Sequence, residues 1–201
     1  MHIESIDQLR ALYPPAKERA RLKQLTEMDP HCRRFIELSP FVVIASSDAD
    51  HGMDASPRGG APGFAKTTDP HTLLIGDAPG NNRLDTLENI LATGAVGLLF
   101  MIPGVDETLR INGTARLSCD PSVLRLFDAE KNRPRLAIEV TVTQAYLHCA
   151  KALMRSRLWH PSALQDRAVL PTMGEMIGSQ IGVQAPSESQ EAMLARYVND
   201  L

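Results

Sequence analysis

The sequence predicts a mainly β fold with α-helices added: a small antiparallel β-barrel rather than a doubly wound sheet. Three observations carry this. Five or six short strand patterns can be read, and two of them, 107–117 and 136–142, alternate apolar and polar residues with a period of two. Half-buried antiparallel strands alternate in that way. Strand and helix patterns do not take turns along the chain, and the glycines at 59, 60, 63, 76 and 80 form no GxGxxG between a strand and a helix. A nucleotide-binding parallel sheet would show both.

Composition narrows the class further. A chain of 201 residues can hold one domain with appendages and a sizeable core. Its 43% hydrophobic and 22% charged residues are those of a globular protein. A net charge of −3 speaks against nucleic acid as a partner, since such binders carry a basic balance. No apolar run approaches the roughly eighteen residues of a membrane span. The opening MHIESIDQLR lacks the charged-then-apolar layout of a signal peptide, so a cytoplasmic protein without a membrane partner is expected. Cys32, Cys119 and Cys149 are odd in number and far apart, which disfavours a disulfide framework and a zinc knuckle. The six histidines show no HExxH, and no metal is expected. His148 beside Cys149 admits a metal or haem reading, or more simply two ordinary residues near a strand end.

Taken in order, residues 1–39 read as a helical extension. A short helix over 5–12 is closed by Pro14-Pro15, because proline disfavours helix in the residue before it. A second spans 16–28, with Leu22 and Leu25 as sparse apolar positions. Asp29-Pro30 starts a third, whose buried side is Cys32, Phe35, Ile36 and Leu38. These helices cap the main domain or form a dimer arm.

Residues 40–161 hold the barrel. FVVIA at 41–45 is the first strand. The passage SSDADHGMDASPRGGAPGF reads as a loop, rich in Gly, Pro, Asp and Ser. Its SPRGG core sets Arg58 among glycines that allow close backbone approach, so Arg58 is either a phosphate anchor or a surface arginine in a turn. Another strand follows at 72–75.

The organising stretch is GDAPGNNRLDTLENILATGAVGLLFMIPG, residues 76–104. It reads as strand end, Pro-Gly turn, capped helix, strand and second Pro-Gly turn. Asn82 is the expected N-cap. Leu84, Leu87 and Leu91 form the expected apolar stripe, and the run 96–102 suits a strand covered on both faces. Asn81-Asn82-Arg83 then stands at a helix start, where amides point outward and the helix dipole is positive. That is an anion seat or a surface turn with a solvated arginine; these residues alone leave both open.

In 107–117, Leu109, Ile111, Ala115 and Leu117 face one way and Thr108, Arg110, Asn112, Thr114 and Arg116 the other. The polar face is solvated or lines a ligand groove. Asp120-Pro121 opens a helix with Val123, Leu124 and Phe127 inward. Ala150, Leu153, Met154 and Leu158 mark an amphipathic helix with a basic stripe of His148, Lys151 and Arg155, ending at Trp159-His160-Pro161. Residues 162–201 form a helical tail whose last helix runs over about 187–198.

Four motifs in order, DASPRGG, TLLIGDAPGNNRLDTLENIL, GLLFMIPGVDETLRINGTARL and AYLHCAKALMRSRLW, resemble the pyridoxamine 5'-phosphate oxidase-like flavoproteins, most closely a bacterial branch of them. The resemblance runs from about residue 41 to 159. It implies a split barrel that dimerises and holds FMN at the subunit interface, and therefore oxidoreductase chemistry on a small molecule. In such proteins an arginine on the second strand and a basic pair at the following helix start bind the FMN phosphate. The resemblance gives the first role to Arg58, with Ser56 beside it, and the second to Asn82 and Arg83.

Where the oxidase carries Arg-Lys, this chain has Asn-Asn-Arg, one charge fewer; either the phosphate seat is weaker, or Lys151 or Arg110 completes it. Amide donors to the flavin ring are expected around Ile75, Gly76 and Thr108. The arginine–histidine pair that grips the oxidase's substrate has no counterpart in the tail; His148, Lys151, Arg155 and Trp159 stand as candidates for substrate or for the second subunit. The alternatives are F420 or haem in the same barrel, a non-catalytic flavin carrier or sensor, and a barrel whose arginines are only surface charge.

Overall fold

The computed structural model describes residues 2–78, 80–183 and 188–198. The strands are β1 (Phe41–Ser47), β2 (Met53–Gly59), β3 (Ala65–Asp69), β4 (Thr72–Gly76), β5 (Ala95–Met101), β6 (Thr108–Ser118) and β7 (Ala137–His148). They form one antiparallel sheet in the order β2-β1-β5-β6-β7-β4-β3. The two outermost strands, β2 and β3, are joined by residues 60–64 alone, so the sheet must curl until its edges come within reach. The result is a split barrel.

Its interior is filled by every second residue of the strands. Val42 and Ile44 meet Leu98 and Phe100, and Ile111, Ile138 and Leu73 continue the core; all are 3% exposed or less. The register of β6 on β7 shifts between Asn112 and Gly113, a bulge that bends the pair. There Gly113 backs so closely onto the Thr141 carbonyl that a Cβ has no room. One lid on the barrel is helix α3 (Pro30–Leu38), capped by Asp29, whose carboxylate accepts from the Cys32 amide at 2.7 Å; it buries Cys32, Phe35 and Ile36.

Several expectations are corrected. The passage 46–64 is not a loop throughout, because β2 lies in it. There the polar residues Asp54, Ser56 and Arg58 are the half-buried ones, while Met53, Ala55, Pro57 and Gly59 are exposed, an inversion that hides the strand from a hydrophobicity pattern. Pro57 is tolerated because β2 is an edge strand and proline gives no ladder donor. The second helix is only α2 (Glu18–Leu22): Leu25 leaves the helical path to pair with Ala145 of β7, its amide donating at 3.0 Å and its carbonyl accepting at 2.9 Å. Helix α1 (Ile6–Ala11) and α2 bury no side chain, and Leu38 of α3 is exposed.

The central helix is α4 (Asp85–Thr93), and Asn82 does not cap it. Asn82 and Leu84 both have left-handed backbones, φ 59° and 62°, and Leu84 stands at the cap position. The Asn81 side chain causes this by accepting from the Arg83 amide at 3.0 Å, a local turn that delays the helix. The buried positions of α4 are Thr86, Leu87 and Ile90, whereas Leu84 and Leu91 are exposed. β5 is buried on one face only; Gly97, Leu99 and Met101 of the other face are half-exposed.

Helix α5 (Pro121–Leu124) and the single turn Arg125–Phe127 bury Phe127 as expected. Thr108, expected on a polar face, is buried. His148 ends β7 instead of joining the helical stripe, and α6 (Lys151–Ser156) buries nothing, with Met154 and Leu158 exposed. The tail holds α7 (Met173–Ile181), started by a Thr172–Glu175 capping box, and α8 (Gln190–Tyr197). The expected start of the last helix at residue 187 lies outside the described residues, as does Pro79 of the first Pro-Gly turn. Among the described residues no helix is long and apolar enough to cross a membrane, and no group of three or more His, Cys, Asp or Glu is arranged to hold a metal.

Candidate functional site

A groove of about 590 Å³ opens between the edge strand β2, the end of β4, the start of α4 and the segment just ahead of β7. The chain builds it from local choices. β2 offers Ser56 and Arg58 from its half-buried side. β4 ends at Gly76, where a Cβ would stand 3.0 Å from Pro134 and 3.2 Å from Phe127; only glycine lets the 133–135 segment pack this close. In that segment Arg133 and Arg135 line the groove, and Asn132 and Pro134 line a smaller hollow that adjoins it at Gly76 and Asp77.

The start of α4 is held by Asp54. Its carboxylate accepts the Thr86 hydroxyl at 2.6 Å and the Ser56 hydroxyl at 3.0 Å. Farther along, Asn89 donates to the Ser46 hydroxyl at 3.1 Å and Thr93 to the Ser47 carbonyl at 2.8 Å. The helix is thus pinned to β1 and β2. Its own first turn has no side-chain cap, so among the described residues the amides of Asp85, Thr86 and Leu87 have no acceptor. All three residues line the groove. Free amides at a helix start favour an anion.

The charged lining among the described residues is Arg58, Arg83, Arg133 and Arg135 against Asp77 and Asp85, an excess of two positive charges. Arg83 donates through Nε to Asp85 at 2.8 Å, and Arg133 lies 3.6 Å from Asp128, outside the groove. Arg58 donates to the Pro57 carbonyl at 3.0 Å. Burial pushes the Asp77 carboxyl up from its ordinary range, and the Arg58 guanidinium only partly opposes this. A doubly negative ester would meet forks of guanidinium and free amides here, the donors best matched to phosphate.

The structure brings Ser56, Arg58, Gly76, Asn82 and Arg83 together in the groove. Ile75 is fully buried in the barrel core instead. Thr108, Arg110 and His148 lie elsewhere, at the paired ends of β6 and β7, where Thr108 opposes His148 and Arg110 opposes Tyr146. There the Arg110 guanidinium sits 5.4 Å from the Tyr146 ring centre. Lys151 and Arg155 are exposed on α6, and the Trp159 indole donates to the Val105 carbonyl at 2.9 Å. Within one copy, Lys151 and Arg110 lie outside the groove, and Arg133 and Arg135 line it. Sequence reading passed over them, although NRPRL carries a usable signal: two arginines on either side of a proline, just ahead of a strand.

The family described as pyridoxamine 5'-phosphate oxidase matches residues 28–149, well over half of the chain. No curated protein matches the chain. Two solved structures of HupZ from Group A Streptococcus are similar in fold. A single-substitution variant is 14% identical with a TM-score of 0.51, covering 60% of this chain and 99% of that one. The other HupZ structure is 15% identical with a TM-score of 0.50, covering 59% and 92%. The chain belongs to the pyridoxamine 5'-phosphate oxidase family.

Proposed function

From that membership and from the groove, we propose that the protein is a cytoplasmic FMN-binding flavoprotein, a homodimer that acts as an oxidoreductase on a small molecule. The observation that carries the reading is the uncapped start of α4, with Arg83 just ahead of it, lining one groove with Arg58 of β2. Arg58, Arg83 and the amides of Asp85, Thr86 and Leu87 hold the phosphate. Ser56 and Asn82 stand beside it, and Gly76 keeps the wall close. Bound flavin supplies the hydride transfer, which needs neither a nucleophile nor a general base from the protein.

The residues left outside the groove take the second role in this reading. The half-exposed outer face of β1 and β5, with Phe41, Val43, Leu99 and Met101, is the surface that a second copy covers. Thr108, Arg110, His148, Lys151, Arg155 and Trp159 then face the flavin or the substrate held with the partner. Purified protein is expected to be yellow, to release FMN on denaturation and to sediment as a dimer. Colourless protein that takes up no FMN would remove the reading. Steady-state turnover with NAD(P)H and common acceptors separates an enzyme from a flavin carrier, and the absorption spectrum of the bound species separates FMN from F420 or haem.

A further inference from the structure

We propose that Lys66 is a positioning residue for the groove: its ammonium group ties the turn that follows Arg58 to the segment that carries Arg133 and Arg135, and so sets the distance between the two walls. The role rests on the flavin-phosphate reading of that groove. Lys66 lies on β3 and lines neither the groove nor the smaller hollow beside it, so it acts through other residues.

Several contacts converge on this one ammonium group. It donates to the Gly63 carbonyl at 2.8 Å and to the Glu130 carboxylate at 2.9 Å, and it stands 5.8 Å from the centre of the Phe127 ring. Each contact holds a different part of the groove's frame. Gly63 belongs to the turn between β2 and β3, and at either end of that turn Gly59 and Phe64 line both the groove and the hollow. Glu130 lies just ahead of the Arg133 segment. Phe127 is the ring that a Cβ on Gly76, at the end of β4, would meet at 3.2 Å. The Lys66 and Glu130 side chains are 29% and 32% exposed, so the pair is partly withdrawn from water and less screened than a surface pair. They stand 64 positions apart in the chain, which makes the pair a link between distant segments.

The charges of the pair give the test its sign. A Glu130 that acted on the groove only through its field would repel an anion, and Glu130→Gln would tighten FMN binding. A Glu130 that is half of a tie has the opposite effect, because its loss loosens the frame. The test is titration of FMN and riboflavin, followed by flavin fluorescence, into the full chain, Lys66→Met, Glu130→Gln and the double variant. Each single variant is expected to lose FMN affinity by about threefold or more and to keep riboflavin affinity within about twofold, which also shows that it is folded. The double variant is expected to bind FMN no more weakly than the weaker single variant, since the two groups act as one pair. Glu130→Gln binding FMN as tightly as the full chain, or tighter, overturns the positioning role and leaves the phosphate seat standing. So do equal losses for FMN and riboflavin, which assign the pair to the fold alone, and so do losses that add in the double variant. A full chain that takes up no flavin overturns the flavin reading itself, and the positioning role with it.

Discussion

The Thr86 hydroxyl, on the first turn of α4, donates to the Asp54 carboxylate on β2 at 2.6 Å, and Thr86 is 2% exposed. The bond fixes the helix start against the edge strand, and with it the distance between the α4 amides and Arg58. A hydrogen bond to a charged group is worth more than a neutral one, and breaking it leaves the half-buried carboxylate with the Ser56 hydroxyl alone among its side-chain donors.

Thr86→Val keeps the shape and removes the donor. It is expected to lower unfolding stability by about 1–3 kcal/mol in urea. FMN affinity is expected to fall severalfold while riboflavin affinity stays level, because in the proposed reading only the phosphate uses the helix start. Equal losses for the two flavins would show that the bond supports the fold alone.

Gly76→Ala forces a Cβ against Pro134 and Phe127. Overpacking of this kind costs about 1–3 kcal/mol. The segment that carries Arg133 and Arg135 must move, so chemical denaturation and the salt dependence of anion binding should both change. A variant as stable as the parent would contradict the packing described for the 133–135 segment.

Asp77 opposes an anion in the groove, and its folded pKa is raised, mainly by burial. The sign follows. Its stabilising contribution is fully present below its ordinary value of 3.8 and is lost as pH rises through the raised folded value. Asp77→Asn should therefore gain melting temperature relative to the parent at neutral pH, with the gain vanishing in acid. Its FMN affinity should exceed the parent's by about 3–10-fold at neutral pH, a figure discounted for solvent screening. The ratio should approach one as pH falls, where the parent's carboxyl is also neutral. A ratio independent of pH would place Asp77 away from the anion.

Asp29 is a second pH probe, in the fold rather than the groove. Burial works to raise its pKa, but hydrogen bonds from Cys32 outweigh it, and the net direction is down. Asp29→Ala is expected to cost about 0.5–2 kcal/mol at neutral pH through the lost cap of α3. Since the folded pKa is depressed, that contribution is present above 3.8 and is lost as pH falls through the lower folded value. A deficit that persists unchanged in strong acid would assign the loss to packing instead.

The barrel strands were legible wherever apolar residues face the interior, as in 41–45, 96–102 and 107–117. β2 was not, because the edge strand turns polar side chains inward toward the groove. The α4 start was legible as an anion seat but not in its detail: Asn82 has the chemistry of a cap, yet Asn81 makes the turn, and the helix begins uncapped two residues later. Arg58 and Arg83 stood out because each sits in a short distinctive motif, SPRGG and NNR. Arg133 and Arg135 were hidden because their meaning depends on Gly76, more than fifty residues earlier in the chain and adjacent only after the sheet has curled.

Equilibrium affinities for FMN and riboflavin, measured on the parent and on Arg58→Ala/Arg83→Ala, test the central claim most directly. Each arginine is expected to contribute about 1.5–3 kcal/mol to holding the phosphate. The parent should therefore prefer FMN strongly, and the double variant should bind the two flavins almost alike with riboflavin affinity unchanged. A double variant that keeps the parent's preference for FMN would show that the phosphate is held somewhere other than between β2 and α4.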